Sequence, residues 1–289
     1  MRKFKTAVVV GVITGLILTN SVFAFTNNQE TTDKANSSQE ITQQSKEEIN
    51  CYTEKTKDAE KLIKSIKECK SNKITKYDLN QVILEYNKKY KTNINSDQIP
   101  TLKSTDSDVT TLSAATTTSD SSVLGYACSK QLTDWYCGPA SAYNILKGMG
   151  VSSYGGKTLS QDNLASDLGA LTSGASFPGT WTSTLNNWSG KYYISVWGPS
   201  ASSLLANAYV DTIAYMGTIY DTYMSGSNQL YGYSVGTTRY HYLAGDGYNN
   251  TTSEVHYLDS HNTNVTAFGA HWATSSLMAS CVSSRGMIW

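Results

Sequence analysis

All six tryptophans of this 289-residue chain follow Val123, and most of its 20 tyrosines lie in the same stretch. Charged side chains are scarce there, whereas residues 25–103 are rich in Lys, Glu, Asp, Asn and Thr and contain no tryptophan. Aromatic side chains bury more apolar area than other residues, so the segment that holds them is the one able to form a core. About 165 residues are sufficient for such a domain. The sequence therefore predicts one core-forming domain at residues 123–289.

Residues 25–103 predict a charged helical region with a different character. Apolar residues recur at helical spacing in residues 47–70 and again in residues 76–90, which indicates two or three modest helices. Cys51 and Cys69 would form a disulfide only if the chain turned back between them. One straight helix would hold the two cysteines too far apart to bond.

Residues 104–122 form a polar tract of Ser, Thr and Asp without a usable periodicity. Such segments are typical of exposed linkers that proteases cut easily. A charged helical region joined to a core domain by a cleavable tract is typical of a pro-region. We therefore interpret residues 25–103 as a pro-region that inhibits the domain at 123–289. The alternative is a binding or spacer module that stays attached.

Residues 1–24 have the pattern of a secretory signal peptide. Three basic residues precede an apolar run at residues 7–18, and small residues lead to Ala24. The apolar run is shorter than the ~20 residues that a membrane-spanning helix needs. We expect cleavage after Ala24, a secreted protein, and no membrane association afterwards. The formal net charge is zero, so nothing predicts a nucleic-acid partner.

Helical patterns come first and strand patterns come last in the core domain. Residues 137–150, 160–170 and 200–217 carry apolar residues at helical spacing. Short runs rich in Tyr, Val and Ile, separated by turn residues, predict the strands: KYYISVW, GTIYDTYM, RYHYLAGDGY and SEVHYLDS. This order is typical of an α+β domain with a largely antiparallel sheet.

Cys137 directly precedes Gly138 and Pro139 at the predicted start of a helix. Proline is favoured in a first helical turn, because it has no N–H group to lose there. Unpaired backbone N–H groups and the helix dipole stabilise a thiolate at this position. Gly138 is expected to leave room for a substrate backbone. The setting predicts a nucleophilic cysteine rather than a structural one.

The partners that such a cysteine needs are also present. His241 lies on one predicted strand and Asp259 ends the next one. If the two strands are neighbours, Asp259 accepts the imidazole N–H and fixes the tautomer of His241. His256 is expected to face the opposite way. Gln131, on the connection into the cysteine helix, is placed to form an oxyanion hole with the backbone N–H of Cys137.

Other uses of these residue types were weighed. The cysteine count is odd, which leaves at least one free thiol, and we expect any disulfide to join Cys128 to Cys281 rather than to involve Cys137. We expect neither a metal ion nor an organic cofactor, because the remaining histidines match no zinc-binding spacing: His256, His261 and His271.

Four aromatic residues near the cysteine were considered as walls of a substrate groove, although aromatic side chains more often belong to the core. They are Tyr126, Trp135, Tyr136 and Trp181.

The stretches QLTDWYCGPAS, HYLAGDGY and VHYLDS resemble the papain-like cysteine peptidases, and in particular the branch related to the bacteriocin-processing, double-glycine peptidases. The resemblance covers about residues 125–289. It implies that Cys137 is the nucleophile, His241 the base, Asp259 the residue that orients it, and Gln131 the oxyanion donor. It also implies a papain-like fold, in which the cysteine helix packs against an antiparallel sheet that carries the histidine.

The resemblance further implies a thiol hydrolase, in the first place a peptidase that acts on a peptide or protein substrate. The same fold and triad serve amidases and acyl transferases acting on cell-wall or host-protein amides, and an inactive copy would serve as a binding module. Leader-processing relatives are usually fused to a membrane transporter, and no further apolar span occurs here, so leader processing is not expected. Ser260 stands where relatives often have proline.

Overall fold

The structure, a computed structural model, describes residues 46–99 and 120–289, and an antiparallel sheet forms its centre. The strands follow the order β4-β9-β5-β6-β7-β8, with β1 also paired to β6. The elements of this sheet are β1 Ser121–Val123, β4 Ser195–Trp197, β5 Thr218–Met224, β6 Arg239–Asn249, β7 Glu254–Asp259, β8 Gly269–Thr274 and β9 Gly286–Ile288. A separate hairpin, with two residues in each strand, is not part of this sheet: β2 Ser153–Tyr154 and β3 Lys157–Thr158.

Five helices surround the sheet within residues 120–289, and two more precede it in residues 46–99. The fold is α+β, as the sequence predicts. The helices are α1 Lys46–Lys70, α2 Lys76–Tyr90, α3 Cys137–Gly148, α4 Gln161–Asp167, α5 Trp181–Ser189, α6 Ala201–Ile213 and α7 Ser275–Val282. None of these described helices is long and apolar enough to cross a bilayer.

The neighbouring strands β6 and β7 are the part of the sheet that positions the site. They pair antiparallel, as predicted, from Asn249 opposite Glu254 to Ala244 opposite Leu258. A bulge shifts the register between Gly245 and Gly247. Beyond it, β1 pairs with the last residues of β6, so Ser121 and Ser122 of the tract interpreted as a linker are in a strand.

Gly247 is required where β1 crosses the end of β6. A Cβ atom at this position would lie 2.7 Å from the Ser122 carbonyl oxygen. No side chain tolerates such a contact with the backbone, so a larger residue here would displace β1.

Some predicted elements differ from the structure. Only Ser195–Trp197 of the run KYYISVW is a strand, and a pair of backbone hydrogen bonds between Ile194 and Trp289 continues its pairing with β9 by one residue. Helices α5 and α7 and strands β8 and β9 were not predicted. Their short length leaves too few turns or alternations to produce a clear period.

Helix α3 packs on β6 and so connects the cysteine to the strand that carries the histidine. The Ser141 hydroxyl of α3 donates a hydrogen bond of 3.0 Å to the Tyr242 carbonyl of β6. The Tyr242 ring packs against Trp181 of α5, with the ring centroids 4.9 Å apart. Helices α6 and α7 pack against each other and against other parts of the sheet, and Tyr209 of α6 meets Tyr248 of β6 edge to face.

Helices α1 and α2 form a hairpin, which is the described part of the region interpreted as a pro-region. Thr75 caps α2, and its backbone and side chain form a reciprocal capping box with Asp78. Cys51 and Cys69 lie near opposite ends of α1, about 27 Å apart at the helical rise. Both are free thiols, so the disulfide considered between them is absent for the reason foreseen.

The hairpin docks on the core domain through a buried lysine of α1. The Lys55 ammonium donates a hydrogen bond of 3.1 Å to the Tyr192 carbonyl and lies 4.1 Å from the centroid of the Trp289 ring. Asp211 of α6 attracts it. Burial lowers the pKa of Lys55 to about 8 and raises that of Asp211 to about 7. All described residues consequently belong to one compact unit.

We predict that Lys55→Met destabilises the protein by about 3 kcal/mol at pH 8, because Asp211 would stay buried without its cation. At pH 5 the loss should be smaller, since the raised pKa of Asp211 lets its carboxyl become neutral. Urea unfolding at both pH values measures the effect. Lys57→Met is the matched control on the exposed side of α1, and it should stay within about 0.5 kcal/mol. Equal losses in the two variants would contradict the assigned role of Lys55.

Candidate active site

Cys137 is the first residue of α3, and its side chain remains at the edge of the core with 9% of the residue exposed. Tyr136 occupies the N-cap position and supplies no side-chain hydrogen bond to the helix. Pro139 lies in the first turn, as predicted, where a missing N–H costs nothing. The helix therefore presents its positive N-terminal end at the sulfur.

The reason expected for Gly138 was wrong. A Cβ atom there would lie 3.1 Å from Trp181, 3.2 Å from the Ala175 methyl group and 3.4 Å from Tyr242. The glycine lets the start of α3 approach the core closely, and it faces away from open space. Gly138 therefore lets the cysteine end of α3 pack closely against the core, and it does not make room for a substrate backbone.

His241 and Asp259 form a buried pair that links β6 to β7. The imidazole Nε2 lies 2.8 Å from Asp259 Oδ1, and both side chains are excluded from solvent. The side chain of Cys137 lies close enough to His241 to be one of the groups that raise the pKa of the imidazole. Because Nε2 faces the carboxylate, Nδ1 is the ring nitrogen left for the sulfur. The structure thus brings the sulfur, the imidazole and the carboxylate together in one series, which the hydrogen bond between His241 and Asp259 completes.

The electrostatics of this series favour a charged histidine. Burial by itself would lower the pKa of His241, but the Asp259 carboxylate and the Cys137 side chain together raise it to about 10. Burial acts against ionisation of Asp259 as well, yet the hydrogen bonds and charge of His241 hold the pKa of that carboxyl below its usual value. The buried pair therefore favours a charged imidazole beside Cys137.

Asp259 is held by more donors than His241 alone. The Tyr233 hydroxyl donates to Oδ2 at 2.7 Å, and the His261 backbone N–H donates to Oδ1 at 2.9 Å. The thiol of Cys128 donates to the backbone carbonyl of Asp259 at 3.1 Å. Both carboxylate oxygens are therefore bound, and the ring of His241 has a fixed partner.

Gln131 lies on the loop that leads into α3, and its backbone N–H donates to the Ser260 carbonyl at 2.7 Å. Its side-chain amide is 4% exposed and donates to the Thr133 carbonyl at 2.8 Å. That bond uses one of the two amide hydrogens, so one N–H is left for another acceptor. The oxyanion role of Gln131 stays a prediction.

Three residues beside this series were missed as site residues by sequence reasoning. Tyr233 binds Asp259, the His261 ring lies 5.7 Å from the His241 ring, and Arg239 Nη1 lies 3.0 Å from His261 Nε2. A signal was available for two of them. Arg239 precedes His241 by two positions and His261 follows Asp259 by two, which is the spacing of residues on one side of an extended chain.

His256 and His271 have other partners than Cys137, His241 and Asp259. His256 faces away from Asp259, as predicted, and its Nδ1 lies 2.5 Å from Asp246 Oδ1. His271 Nε2 contacts the Ala267 carbonyl at 2.8 Å. No group of three or more His, Cys, Asp or Glu side chains among the described residues is placed to hold a metal ion.

The aromatic residues considered as groove walls are mostly structural. Trp181 and Tyr136 are buried, and Tyr126 packs against Gly148 at the far end of α3 from Cys137. Trp135 is half-buried, and its indole N–H donates to the Leu171 carbonyl at 3.2 Å beside the cysteine loop. Among the four, only this side chain is both partly exposed and near the sulfur in sequence.

The disulfide expected between Cys128 and Cys281 is absent, because all five cysteines are free. The thiol of Cys128 donates to Asp259, and that of Cys281 points to the Asn228 carbonyl at 3.8 Å. Burial raises the pKa of Cys128 to about 12 and that of Cys281 to about 11. Both thiols therefore stay protonated at neutral pH.

An α+β fold with a cysteine at a helix N-terminus, placed beside a buried His–Asp pair on an antiparallel sheet, defines the class of papain-like cysteine peptidases. The model of the Peptidase_C39 like family matches residues 123–276, which is more than half of the chain. This chain belongs to that family. No curated protein gave a significant match.

We predict that His241 in the folded protein titrates near pH 10, well above an ordinary histidine, because Asp259 and Cys137 stabilise its charged form. Asp259→Asn should move this titration to lower pH, since it removes the negative charge. NMR of imidazole ¹⁵N-labelled protein measures both values. His261 serves as the internal reference in the same spectra, because burial lowers its pKa to about 4. A wild-type titration of His241 near pH 6.5 would contradict the imidazolium.

Proposed function

We propose that this protein is a secreted cysteine peptidase that hydrolyses peptide bonds with Cys137, His241, Asp259 and Gln131. Membership of a cysteine-peptidase family supports the reaction class. The single observation that supports the assignment of roles is the placement of Cys137 beside the buried His241–Asp259 pair, in which Nε2 lies 2.8 Å from Oδ1. Secretion rests on the signal pattern of residues 1–24, which lie outside the described residues.

The proposed mechanism begins with attack of the Cys137 thiolate on the carbonyl carbon of the substrate. A C–S bond forms, and the carbonyl electron pair moves to oxygen. The Gln131 amide and the Cys137 backbone N–H donate to this oxyanion. His241 then gives its proton to the leaving amine as the C–N bond breaks, and an acyl-enzyme thioester remains.

Deacylation reverses the role of the histidine. Neutral His241 takes a proton from water, and the resulting hydroxide attacks the thioester carbonyl. The C–S bond breaks, which releases the carboxylic acid and restores the thiolate–imidazolium pair. Asp259 keeps the ring oriented through both halves, and its two bound oxygens support this role.

We also propose that residues 25–103 act as a pro-region, which is removed after export by cleavage within the tract that follows it. The docking of α1 on the core domain supports a lasting association between the two parts, because Lys55 is buried against Tyr192, Trp289 and Asp211. The cleavable tract at 104–122 supports removal, although most of it lies outside the described residues.

Iodoacetamide should label Cys137 selectively in the wild type, and a peptide library should be cleaved by the activated protein. Cys137→Ala should abolish the labelling and lower the cleavage rate by about a thousandfold or more, as expected when a catalytic nucleophile is removed. Cys281→Ala is the matched control and should leave both intact, because that thiol is protonated and lies outside the series. Cleavage that survives in Cys137→Ala would refute the peptidase.

The same experiment separates the acyl-transferase alternative. Addition of glycine amide gives an amine that competes with water for the thioester. Products that carry glycine amide in place of a free carboxylate would favour acyl transfer over hydrolysis.

For the pro-region, intact mass spectrometry of the exported protein should show the loss of roughly the first hundred residues. The control is Cys137→Ala, in which the loss disappears if the protein processes itself and persists if another protease does so. A mature chain that begins at Phe25 would contradict removal.

A further inference from the structure

Two hydrogen-bond donors face each other beside the catalytic pair. The backbone N–H groups of Asn264 and Thr263 point at His261 Nδ1, at 3.0 and 3.3 Å, so that nitrogen carries the lone pair. The ring hydrogen of neutral His261 is then on Nε2. Nε2 lies 3.0 Å from Nη1 of Arg239, a group that only donates.

Protonation of His261 does not remove this contact between two donors. Burial, followed by the positive charges of His241 and Arg239, lowers its pKa to about 4, so the ring is neutral at pH 7. Protonation would place a hydrogen on Nδ1 as well, against two backbone donors. The local hydrogen bonds therefore leave two neighbouring N–H donors, whose nitrogens are 3.0 Å apart, without a shared acceptor. A carboxylate oxygen that accepts from both is the ligand that such a pair suits.

The guanidinium of Arg239 is held in place and is not neutralised by an acid. It lies 5.6 Å from the centroid of the Tyr233 ring, whose hydroxyl binds Asp259. No ion pair found in residues 46–99 and 120–289 involves Arg239.

The two carboxylates that affect the pKa of His261, those of Asp259 and Asp134, already have hydrogen-bond partners. Asp259 is bound by His241, Tyr233 and the backbone of His261. Asp134 accepts a hydrogen bond of 3.2 Å from the Asn262 amide. The positive charge of Arg239 is therefore available to an external carboxylate at the site.

The position of the pair relative to His241 fixes which part of a substrate it would meet. His241 protonates the leaving amine in the proposed mechanism, so the leaving fragment lies over the imidazole. The centroid of the His261 ring lies 5.7 Å from that of the His241 ring, so Arg239 and His261 are close to the place where the leaving fragment would lie. An extended peptide advances ~3.3 Å per residue, which places a bound carboxylate within about three residues of the cleaved bond.

We propose that Arg239 and His261 form a carboxylate-binding subsite on the leaving-group side, which selects peptides with an acidic side chain or a free C-terminus within about three residues after the cleaved bond. This inference rests on the proposed peptidase function for the identity of its ligand. The subsite itself can be tested without peptidase activity.

The first test compares alkylation of Cys137 by iodoacetate, which carries a carboxylate, with alkylation by neutral iodoacetamide. The ratio of the two rate constants should fall by about threefold or more in Arg239→Gln, as expected for loss of one charge at this range. The iodoacetamide rate should not change, which shows that the site is folded. Arg239→Lys keeps the charge and should retain most of the ratio.

Lys130→Gln is the matched control for the alkylation ratio. Lys130 is exposed, adjoins Gln131 and lies 5.0 Å from the centroid of the Phe268 ring, so its loss removes an equal charge near the same loops. The ratio should stay within twofold of the wild type in this variant. An equal fall in both variants, or no fall in Arg239→Gln, would overturn the subsite.

The second test uses a peptide that the wild type cleaves, made in matched forms. The two peptides of the first pair have an amidated C-terminus and carry either Glu or Gln at the second residue after the cleaved bond. The two peptides of the second pair end at that residue, one with a free C-terminal carboxylate and one with an amide. Arg239→Gln should lower kcat/KM about tenfold for whichever carboxylate form is preferred, and leave the neutral forms unchanged.

The outcomes separate the two proposals. A wild type that cleaves no peptide refutes the peptidase, while the alkylation ratio still decides the subsite. A wild type that cleaves acidic and neutral forms equally well, with or without Arg239, refutes the subsite and leaves the peptidase standing. A preference for the Glu form over the terminal acid, or the reverse, identifies the source of the carboxylate.

Discussion

The 2.8 Å hydrogen bond between His241 and Asp259 is the interaction on which the rest of the site depends. A buried carboxylate is costly unless it is paired, and a buried imidazolium is equally costly. Each charge offsets the cost of burying the other, and the two side chains can meet only because β6 and β7 are neighbouring strands. The charge that results on His241 lies beside Cys137 at the start of α3. The pairing of β6 with β7, the burial of the sheet and the charge next to Cys137 are thus parts of one electrostatic arrangement.

The sequence predicted most of this arrangement because its signals are local. A cysteine before Gly-Pro indicates a helix start, and alternation along β6 and β7 predicts which side chains share a direction. The pairing of the two strands and the opposite orientation of His256 are confirmed by the register and the contacts. The assignment to papain-like peptidases of the C39 type is confirmed by the family match.

What the sequence could not supply depends on contacts between distant segments. The purpose of Gly138 follows from Trp181 and Tyr242, which lie far from it along the chain. Lys55 looks like any other charged residue of an exposed helix until α6 and Trp289 enclose it. Arg239 and His261 become neighbours only when the ends of β6 and β7 meet. The expected disulfides failed for a similar reason, since pairing of cysteines depends on geometry that spacing alone does not encode.

Strand β1 has a consequence for the proposed removal of the N-terminal region, if the protein cleaves itself. Ser121 is paired with Asn249, at the end of β6 opposite to His241, which is a separation of about 26 Å along the strand. For any peptide bond in the last ~8 residues before Ser121, the chain that joins the bond to Ser121 is too short to let it reach the sulfur of its own molecule. If the proposed removal of the N-terminal region is self-catalysed, cleavage at those bonds needs a second molecule and follows second-order kinetics, whereas cleavage further upstream is open to a first-order, intramolecular route.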